Sequence, residues 1–257
     1  MDSRLVTVPD SYSLEPARDV FTLRPALPVT LSALILDLEN VLVDVSPWRR
    51  WLLQLLNRIG LHTHYQAFFC AFEQDYLGAV YCGQRDYWEA LRAYLLAAGV
   101  SRGRVEEVLA AALGKVGELW ADARPLPGVM GTLADLTSRG VRLALLSNSA
   151  ASTREIEERL QRLGIAGRFT VILSSRDLGL AKPMPESYGA AITALDAPAE
   201  TIGFVGHSAL ELAGASLTGL TTFAINHAPD VEADYFLERF EQLQHLVLPM
   251  QSQKRVG

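Results

Sequence analysis

The chain has 257 residues, 49% of them hydrophobic and 20% charged, and a formal net charge of −6 at pH 7. This composition is typical of a globular protein with a large core, and the negative charge argues against nucleic acid or an anionic membrane surface as a partner. We find no apolar run of about twenty residues and no secretory signal, so we expect no membrane span. The two cysteines, Cys70 and Cys82, lack the spacing of a metal site, which favours a reducing, cytoplasmic location.

The first candidate site follows a short apolar run near the start of the chain. Residues 1–30 hold four prolines and little periodicity, which predicts an irregular N-terminal extension. The run Ala33–Leu36 then predicts a strand buried on both faces, and two acids, Asp37 and Glu39, follow it. Ligands of open α/β sheets bind outside the carboxyl ends of the strands, so these acids are candidates for a functional site.

Residues 46–124 have a helical rather than an alternating pattern. Apolar residues spaced three and four apart predict four helices, near Trp48–Gly60, Tyr65–Tyr76, Tyr87–Ala98 and Arg104–Trp120. Consecutive helices with short connections form a small bundle, so we predict a helical cap domain over residues 46–124, inserted into an α/β core of residues 31–45 and 125–257. The insert is rich in Trp, Tyr and Phe, and we expect one or two of these rings to face the cleft and select an apolar or ring-bearing substrate.

Strands and helices alternate after residue 124. The predicted strands are Val141–Leu146, Phe169–Leu173, Thr201–Val205 and Thr221–Ile225. The predicted helices lie over Val129–Ser138, around Ile156–Leu163, from Pro185 onward and over Ala209–Leu217, with one or two more in the charged segment Glu232–Glu241. This alternation predicts a doubly wound, Rossmann-like parallel sheet with right-handed crossovers.

A parallel sheet of this kind brings distant polar residues to one edge. The predicted strand ends and the loops after them carry Asp37, Ser147 with Asn148, Lys182 and His207. Because the carboxyl ends of parallel strands meet at one edge, we expect these side chains to line a single cleft. The helical insert leaves from the same edge, so it can cover that cleft.

These groups suit the transfer of a phosphoryl group. Asp37 could attack phosphorus and form an aspartyl-phosphate, while Ser147 and Lys182 could bind the phosphoryl oxygens. Glu39 could donate a proton to the leaving oxygen and then activate the attacking water. A divalent cation beside Asp37 could reduce the repulsion between carboxylate and phosphate.

Four ordered motifs resemble those of the haloacid dehalogenase-like (HAD) hydrolase superfamily, over roughly residues 31–230. They are Leu36-Asp37-Leu38-Glu39-Asn40-Val41-Leu42, Leu146-Ser147-Asn148-Ser149, Leu180-Ala181-Lys182-Pro183-Met184-Pro185-Glu186-Ser187-Tyr188 and Phe204-Val205-Gly206-His207-Ser208-Ala209-Leu210-Glu211. The third is similar to the signature of the subfamily with an inserted helical cap. The resemblance implies a hydrolase with Asp37 as nucleophile and Glu39 as acid and base. It also implies substrate binding by Ser147, Asn148 and Lys182.

Two of the motifs depart from the family pattern at acidic positions. Glu39 stands where the family has Asp, and His207 replaces an Asp that normally binds magnesium. Glu211, also in place of Asp, could bind the metal or instead anchor Lys182. The resemblance implies magnesium as the cofactor, held by Asp37, Glu39, His207 and Glu211. The nitrogen of His207 favours manganese or another divalent ion as the alternative.

Three interpretations of function remain open. The residues favour a divalent-metal-dependent phosphatase that acts on a small phosphorylated metabolite, as a monomer or a homodimer. The second interpretation is a catalytically impaired protein that binds a ligand or a partner without turnover. The third is a metal-independent 2-haloacid dehalogenase, in which Asp37 would displace halide from carbon. The dehalogenases of the family usually carry an aromatic residue where Glu39 stands.

Overall fold

The computed structural model describes residues 27–250, which form a parallel sheet with helices packed on both faces. The strands of this part of the chain are β1 (Val29–Leu31), β2 (Ala33–Leu36), β3 (Arg142–Ser147), β4 (Val171–Ser174), β5 (Ile202–Gly206), β6 (Thr221–Ile225), β7 (Tyr235–Leu237) and β8 (Val247–Pro249). Six of them form one sheet in the order β4-β3-β2-β5-β6-β7, and every neighbouring pair is parallel. This arrangement confirms the predicted α/β fold class.

The helices fall into two groups. They are α1 (Ser46–Arg58), α2 (Tyr65–Phe72), α3 (Gly78–Tyr81), α4 (Tyr87–Ala97), α5 (Arg102–Asp122), α6 (Val129–Ser138), α7 (Thr153–Arg162), α8 (Ser175–Leu178), α9 (Pro185–Leu195), α10 (Ala209–Leu217) and α11 (Leu243–Leu246). Helices α1 to α5 form the insert that follows β2, and a π-helical turn over Glu73–Leu77 joins α2 to α3. The remaining helices flank the sheet.

Strand β2 lies at the centre of the sheet and is buried on both faces. Leu34 and Leu36 pack into one apolar cluster together with residues of α6 and α7, whereas Ala33 and Ile35 pack into a second cluster with residues of α9 and α10. Successive side chains of a strand point to opposite faces, so a strand covered on both sides needs an uninterrupted apolar run. The central position of β2 places its carboxyl end between the ends of β3 and β5.

The insert has an apolar cluster of its own. Its buried members include Leu52 of α1, Phe72 of α2, Leu91 of α4 and Val108 of α5, and aromatic rings pack around them. This cluster is separate from the two that flank the sheet. Each helix therefore buries its apolar face inside the bundle, which is what stabilises short helices in proteins.

Two features differ from the sequence-based expectations. The prediction of one or two helices in the segment Glu232–Glu241 is wrong for its middle, because Tyr235–Leu237 forms β7 and Phe223 stacks on Tyr235 with ring centroids 4.8 Å apart. The charges that suggest helix belong to the exposed flanks of this short strand. The irregular extension predicted over residues 1–30 lies mostly outside the described residues, and from Val29 the chain forms β1, which pairs with β8. Within residues 27–250 no helix combines the length and the apolarity that a membrane crossing requires.

Candidate active site

Asp37 is held at the carboxyl end of β2 by the backbone. Its N–H donates to the carbonyl of Val205 on β5 at 3.0 Å, and its Oδ1 accepts from the N–H of Leu38 at 2.9 Å. The chain then turns sharply at Asn40, which has a φ of 58° in the left-handed region. Asn is one of the few residues other than Gly that adopt this conformation readily, so the Asn in the first motif preserves the turn.

Lys182 reaches Asp37 from the loop before α9. Its Nζ lies 2.7 Å from Oδ1 of Asp37 and 2.8 Å from Oε2 of Glu211, and its side chain is completely buried. Burial alone would lower the pKa of Lys182, but the two carboxylates raise it above its usual range. Burial alone would raise the pKa of Asp37, but the Lys182 ammonium and the His207 ring lower it to about 2. Asp37 is therefore ionised at neutral pH.

Asn148, just beyond β3, fixes the loop that carries Lys182. Its side-chain amide donates to the carbonyl of Lys182 at 2.9 Å and to Oε1 of Glu211 at 3.1 Å, and its Oδ1 accepts from the Lys182 N–H at 2.9 Å. These contacts use both amide hydrogens within the protein. The Asn148 side chain therefore positions the Lys182 loop and Glu211, and its contact with substrate stays a prediction.

Ser147 is the last residue of β3 and is 1% exposed. Its hydroxyl has no hydrogen-bond partner among residues 27–250. Buried hydroxyls are nearly always hydrogen-bonded, and an unpaired one is unfavourable by about 1–3 kcal/mol. Because Leu36 pairs with Leu145, Ser147 lies one residue beyond the level of Asp37 on the neighbouring strand. The free hydroxyl is thus a candidate donor to a ligand at Asp37.

His207 lies on the other side of Asp37, just beyond β5. Its Nδ1 is 3.5 Å from Oδ2 of Asp37, and its Nε2 is 3.3 Å from Nδ2 of Asn40. With the Asn40 amide assigned in this orientation, Nε2 accepts and the hydrogen of the neutral ring sits on Nδ1, facing Asp37. Burial alone would lower the pKa of His207, but the Asp37 carboxylate raises it above its usual value.

Glu39 faces the cleft between the sheet and the insert, and 35% of its side chain is exposed. Its Oε2 lies 3.9 Å from Nη2 of Arg49, and that same Nη2 lies 2.7 Å from Oε1 of Glu73. Burial raises the pKa of Glu39; the Arg49 guanidinium opposes this shift and the negative charge of Asp37 adds to it. Arg49 belongs to none of the four motifs, and its only signal in the sequence is its place in the aromatic-rich start of α1.

The cleft has a volume of about 850 Å³ and reaches from the ends of β2 and β3 into the insert. Glu39 and Asn148 form its end next to Asp37, while rings from the insert line the rest, among them Trp48, Trp88 and Trp120. Rings of the insert therefore line this cleft, whereas Asp37, Ser147, Lys182 and His207, which the sequence predicts to share it, are not among its lining residues. Its size corresponds to pockets that enclose drug-sized ligands.

The side chains predicted as metal ligands do not form a metal site. In the part of the chain that the structure covers, no three His, Cys, Asp or Glu side chains converge as ligands would. Both oxygens of Glu211 are taken by Asn148 and Lys182, Glu39 faces Arg49, and His207 directs a nitrogen toward Asp37. Magnesium prefers hard oxygen ligands, and the His207 nitrogen stands where the motif has an Asp carboxylate, so this donor set fits magnesium poorly. Lys182 lies between the carboxylates of Asp37 and Glu211, and the predicted ligand set of Asp37, Glu39, His207 and Glu211 stays a prediction.

Comparison with known proteins identifies similar chains. A family model described as haloacid dehalogenase-like hydrolase matches residues 31–217. The chain is 34% identical over 103 residues to haloacetate dehalogenase H-2 of Moraxella sp. (strain B), a match that covers 40% of this chain and 45% of that protein. It is 33% identical over 104 residues to the glyceraldehyde 3-phosphate phosphatase of Methanothermobacter thermautotrophicus, with the same coverage of 40% and 45%. The chain thus spans less than half the length of these curated relatives.

The fold is also found in solved structures. The L-2-haloacid dehalogenase from Xanthobacter autotrophicus superposes with a TM-score of 0.62 at 16% sequence identity. The superposition covers 84% of this chain and 98% of that one. At this identity the similarity concerns the fold. The curated relatives include both a dehalogenase and a phosphatase, so the comparisons do not decide between these two reactions.

Proposed function

The chain belongs to the haloacid dehalogenase-like hydrolases, and on this premise we propose that it hydrolyses a phosphate monoester through a covalent intermediate at Asp37. The observation that carries the proposal is the placement of two carboxyl groups at one strand end: Asp37 is buried against the Lys182 ammonium, whereas Glu39 is partly exposed and faces the cleft. The pKa of Asp37 is lowered to about 2, while the pKa of Glu39, two residues later, is raised. Two carboxyl groups with pKa values pushed apart are suited to act as nucleophile and as proton donor.

The reaction has two displacement steps. Oδ1 of Asp37 accepts a hydrogen bond from the Leu38 N–H and lies 2.7 Å from the Lys182 ammonium, whereas Oδ2 has the His207 ring nitrogen at 3.5 Å; we therefore assign Oδ2 as the oxygen that attacks phosphorus. A bond forms from Oδ2 to phosphorus, the ester P–O bond breaks, and Glu39 gives its proton to the leaving oxygen. Water then attacks the phosphorus while Glu39 takes up one of its protons. Inorganic phosphate leaves, and the Asp37 carboxylate and the Glu39 acid are restored.

Cationic and polar groups of the chain would offset the charge of the phosphoryl group. The Lys182 ammonium neutralises the carboxylate that the phosphate approaches, and Nδ1 of His207 lies 3.5 Å from the same carboxylate. The free hydroxyl of Ser147 supplies a donor for a phosphoryl oxygen. We therefore propose that turnover does not require magnesium, in contrast to what the four motifs imply.

A dehalogenase is the second candidate, because displacement of halide from carbon requires neither a metal ion nor a proton donor. The donor set around Asp37 agrees with that requirement. The cleft agrees less well, since a short haloacid would fill only a small part of about 850 Å³. Glu39 would also have no role in the displacement. We therefore place ester hydrolysis first.

The experiment measures two products side by side. Phosphate release is followed with an aryl phosphate and a panel of phosphorylated metabolites, and halide release with 2-chloropropionate, each in EDTA and with added magnesium or manganese. We expect phosphate release in EDTA and none from an Asp37→Asn variant that keeps the native circular dichroism spectrum. Halide release without phosphate release would establish the dehalogenase instead. No product under any condition would favour a protein that binds without turnover, and phosphate release only with a divalent ion would refute the metal-free part of the proposal.

A further inference from the structure

The cleft contains an arginine that the proposed chemistry does not use. Five arginines line the cleft: Arg49, Arg85, Arg124, Arg159 and Arg176. Four of them have an acceptor within the chain. Arg49 pairs with the Glu73 carboxylate, and Arg85, Arg124 and Arg176 each donate to a main-chain carbonyl. Arg159 has neither a hydrogen bond nor an ion pair from its guanidinium to any residue between 27 and 250.

The Arg159 guanidinium is held by an aromatic ring instead of an anion. Its Cζ lies 4.3 Å from the ring centroid of Trp120, which belongs to the last turn of α5. A guanidinium that stacks on an indole keeps its N–H groups at the edge of the stack, where they can bind the two oxygens of a carboxylate or phosphate. Glu155, one turn earlier on α7, already accepts from Ser152 in the N-terminal capping box of the helix and pairs with Arg176.

Arg159 lines the same cleft as Glu39 and Asn148, the two residues at the end next to Asp37. It lies six residues after Thr153, the first residue of α7, or about 9 Å along the helix axis. Side chains of a helix tilt toward its N-terminus, which for α7 is the end nearest the carboxyl ends of the strands. Burial lowers the pKa of Arg159, and the charges of Glu155 and Glu39 oppose that shift, so Glu39 lies within electrostatic range of the guanidinium.

We propose that Arg159, stacked on Trp120, binds a second anionic group of the substrate, and that the substrate is a phosphate monoester that also carries a carboxylate or a further phosphate. This inference rests on the proposed function and adds the class of substrate to it. The rings along the cleft contact the body of such a molecule between its two anionic ends. Arg159 is then the residue that distinguishes monoesters with a second charge from those without one.

The test compares 4-carboxyphenyl phosphate with phenyl phosphate. The measured quantity is the ratio of their kcat/KM values in the wild type and in Arg159→Gln. We expect the substitution to lower this ratio about tenfold, mainly through KM for the carboxylated ester, because a charge-assisted hydrogen bond is lost. Any difference between the two leaving groups is the same in both proteins and cancels. A ratio that does not change would show that Arg159 only braces α7 against the insert.

A matched control lies on the same helix. Arg154 is 88% exposed and pairs with Glu158 on the surface, so Arg154→Gln removes the same charge without touching the cleft and should leave the ratio unchanged. A drop in the ratio as large as that of Arg159→Gln would mean that net charge alone is responsible, and would refute the subsite.

A binding measurement separates this inference from the proposed function. Quenching of tryptophan fluorescence reports the binding of 4-hydroxybenzoate and of phenol to the Asp37→Asn protein, where no turnover occurs. We expect 4-hydroxybenzoate to bind about tenfold more tightly than phenol, and Arg159→Gln to remove that preference. If neither ester is hydrolysed but this preference is observed, the proposed function fails while the subsite remains. If both esters are hydrolysed and the preference is absent, the subsite fails alone.

Discussion

Nζ of Lys182 lies 2.7 Å from Oδ1 of Asp37, and neither side chain has appreciable access to solvent. Glu211 completes the group at 2.8 Å from the same ammonium, so one cation is shared by two buried carboxylates. Charges removed from water are tolerated only when they are paired and hydrogen-bonded. Lys182 therefore stabilises the ionised form of Asp37 and, at the same time, the packing of the loop before α9 on α10.

Replacing the shared cation should lower both activity and stability. Lys182→Met leaves two facing carboxylates without a counter-charge, and we expect a loss of about 3 kcal/mol in the free energy of unfolding near neutral pH, together with loss of turnover. Without the ammonium, burial raises the pKa values of both carboxyls, so the folded variant takes up protons as the pH falls. The stability deficit should therefore shrink between about pH 7.5 and pH 5 in urea unfolding experiments.

Lys115 provides the control for this substitution. It pairs with Glu118 at 2.6 Å on the outer surface of α5, and such exposed pairs contribute little. Lys115→Met should change the free energy of unfolding by no more than about 0.5 kcal/mol at either pH. A Lys182→Met deficit that is equally large at both pH values would argue against uncompensated carboxylates as its cause.

His207 should make stability depend on pH in a defined direction. Its pKa in the folded protein is raised above 6.5, so its contribution is fully present below pH 6.5 and is lost as the pH rises through the folded pKa. We expect the wild type to lose stability relative to His207→Asn over this interval, measured by urea unfolding from about pH 6 to pH 9. In an Asp37→Asn background the carboxylate partner is absent, so the same substitution should produce no such slope.

The identity of residue 207 should decide whether magnesium affects turnover. In the wild type, EDTA and magnesium should give the same rate, because no three His, Cys, Asp or Glu side chains among residues 27–250 converge as metal ligands. His207→Asp places a second carboxylate beside Asp37, which raises the pKa of one of the pair and supplies an oxygen ligand. We expect this variant to be nearly inactive in EDTA and to recover with magnesium.

A carboxylate placed elsewhere controls for the added charge. His62 is exposed at the end of α1, and His62→Asp should leave the rate unaffected by magnesium. If His207→Asp and the wild type respond to magnesium in the same way, residue 207 does not determine the metal requirement.

Local patterns predict the elements that place the site, and they miss contacts between distant segments. The bounds of α6, α10 and β6 agree with their periodicity residue by residue, because each has a clear apolar face or run. Strand β1 pairs with β8 at the far end of the chain, and neither is long enough to show alternation. Strand β7 has only three residues and lies among charged ones. The charged composition of the segment therefore indicates helix, despite the β-forming side chains of Tyr235–Leu237.

In the candidate site, too, some contacts could be predicted from the sequence and others could not. The rule that ligands bind at the carboxyl ends of parallel strands is sufficient to bring Asp37, Ser147 and Lys182 together from sequence. The use of the Asn148 amide and the stacking of Arg159 on Trp120 depend on side-chain directions across more than thirty residues, for which a single sequence has no local signal. From the sequence, Glu211 could either bind a metal or anchor Lys182. The distance of 2.8 Å between its Oε2 and Nζ of Lys182 favours anchoring.

The approach of α10 to the Lys182 loop depends on Gly214. A Cβ atom at this position would lie 2.7 Å from the carbonyl oxygen of Pro183 and 2.8 Å from its Cβ, so backbone has to move to accept it. Glu211 is three residues earlier on the same helix and would move with it, away from Lys182. We expect Gly214→Ala to lower the free energy of unfolding by about 1–3 kcal/mol and the turnover rate at least about tenfold, since a misplaced group in a site is penalised heavily. Gly114 in α5 provides the control, because a Cβ atom at this position would meet nothing within 4 Å. Gly114→Ala should therefore raise the free energy of unfolding by up to about 1 kcal/mol through helix propensity and leave turnover unchanged. Thermal unfolding and phosphate release measured on both variants test the pair, and equal effects of the two substitutions would show that close packing at Gly214 does not hold the site together.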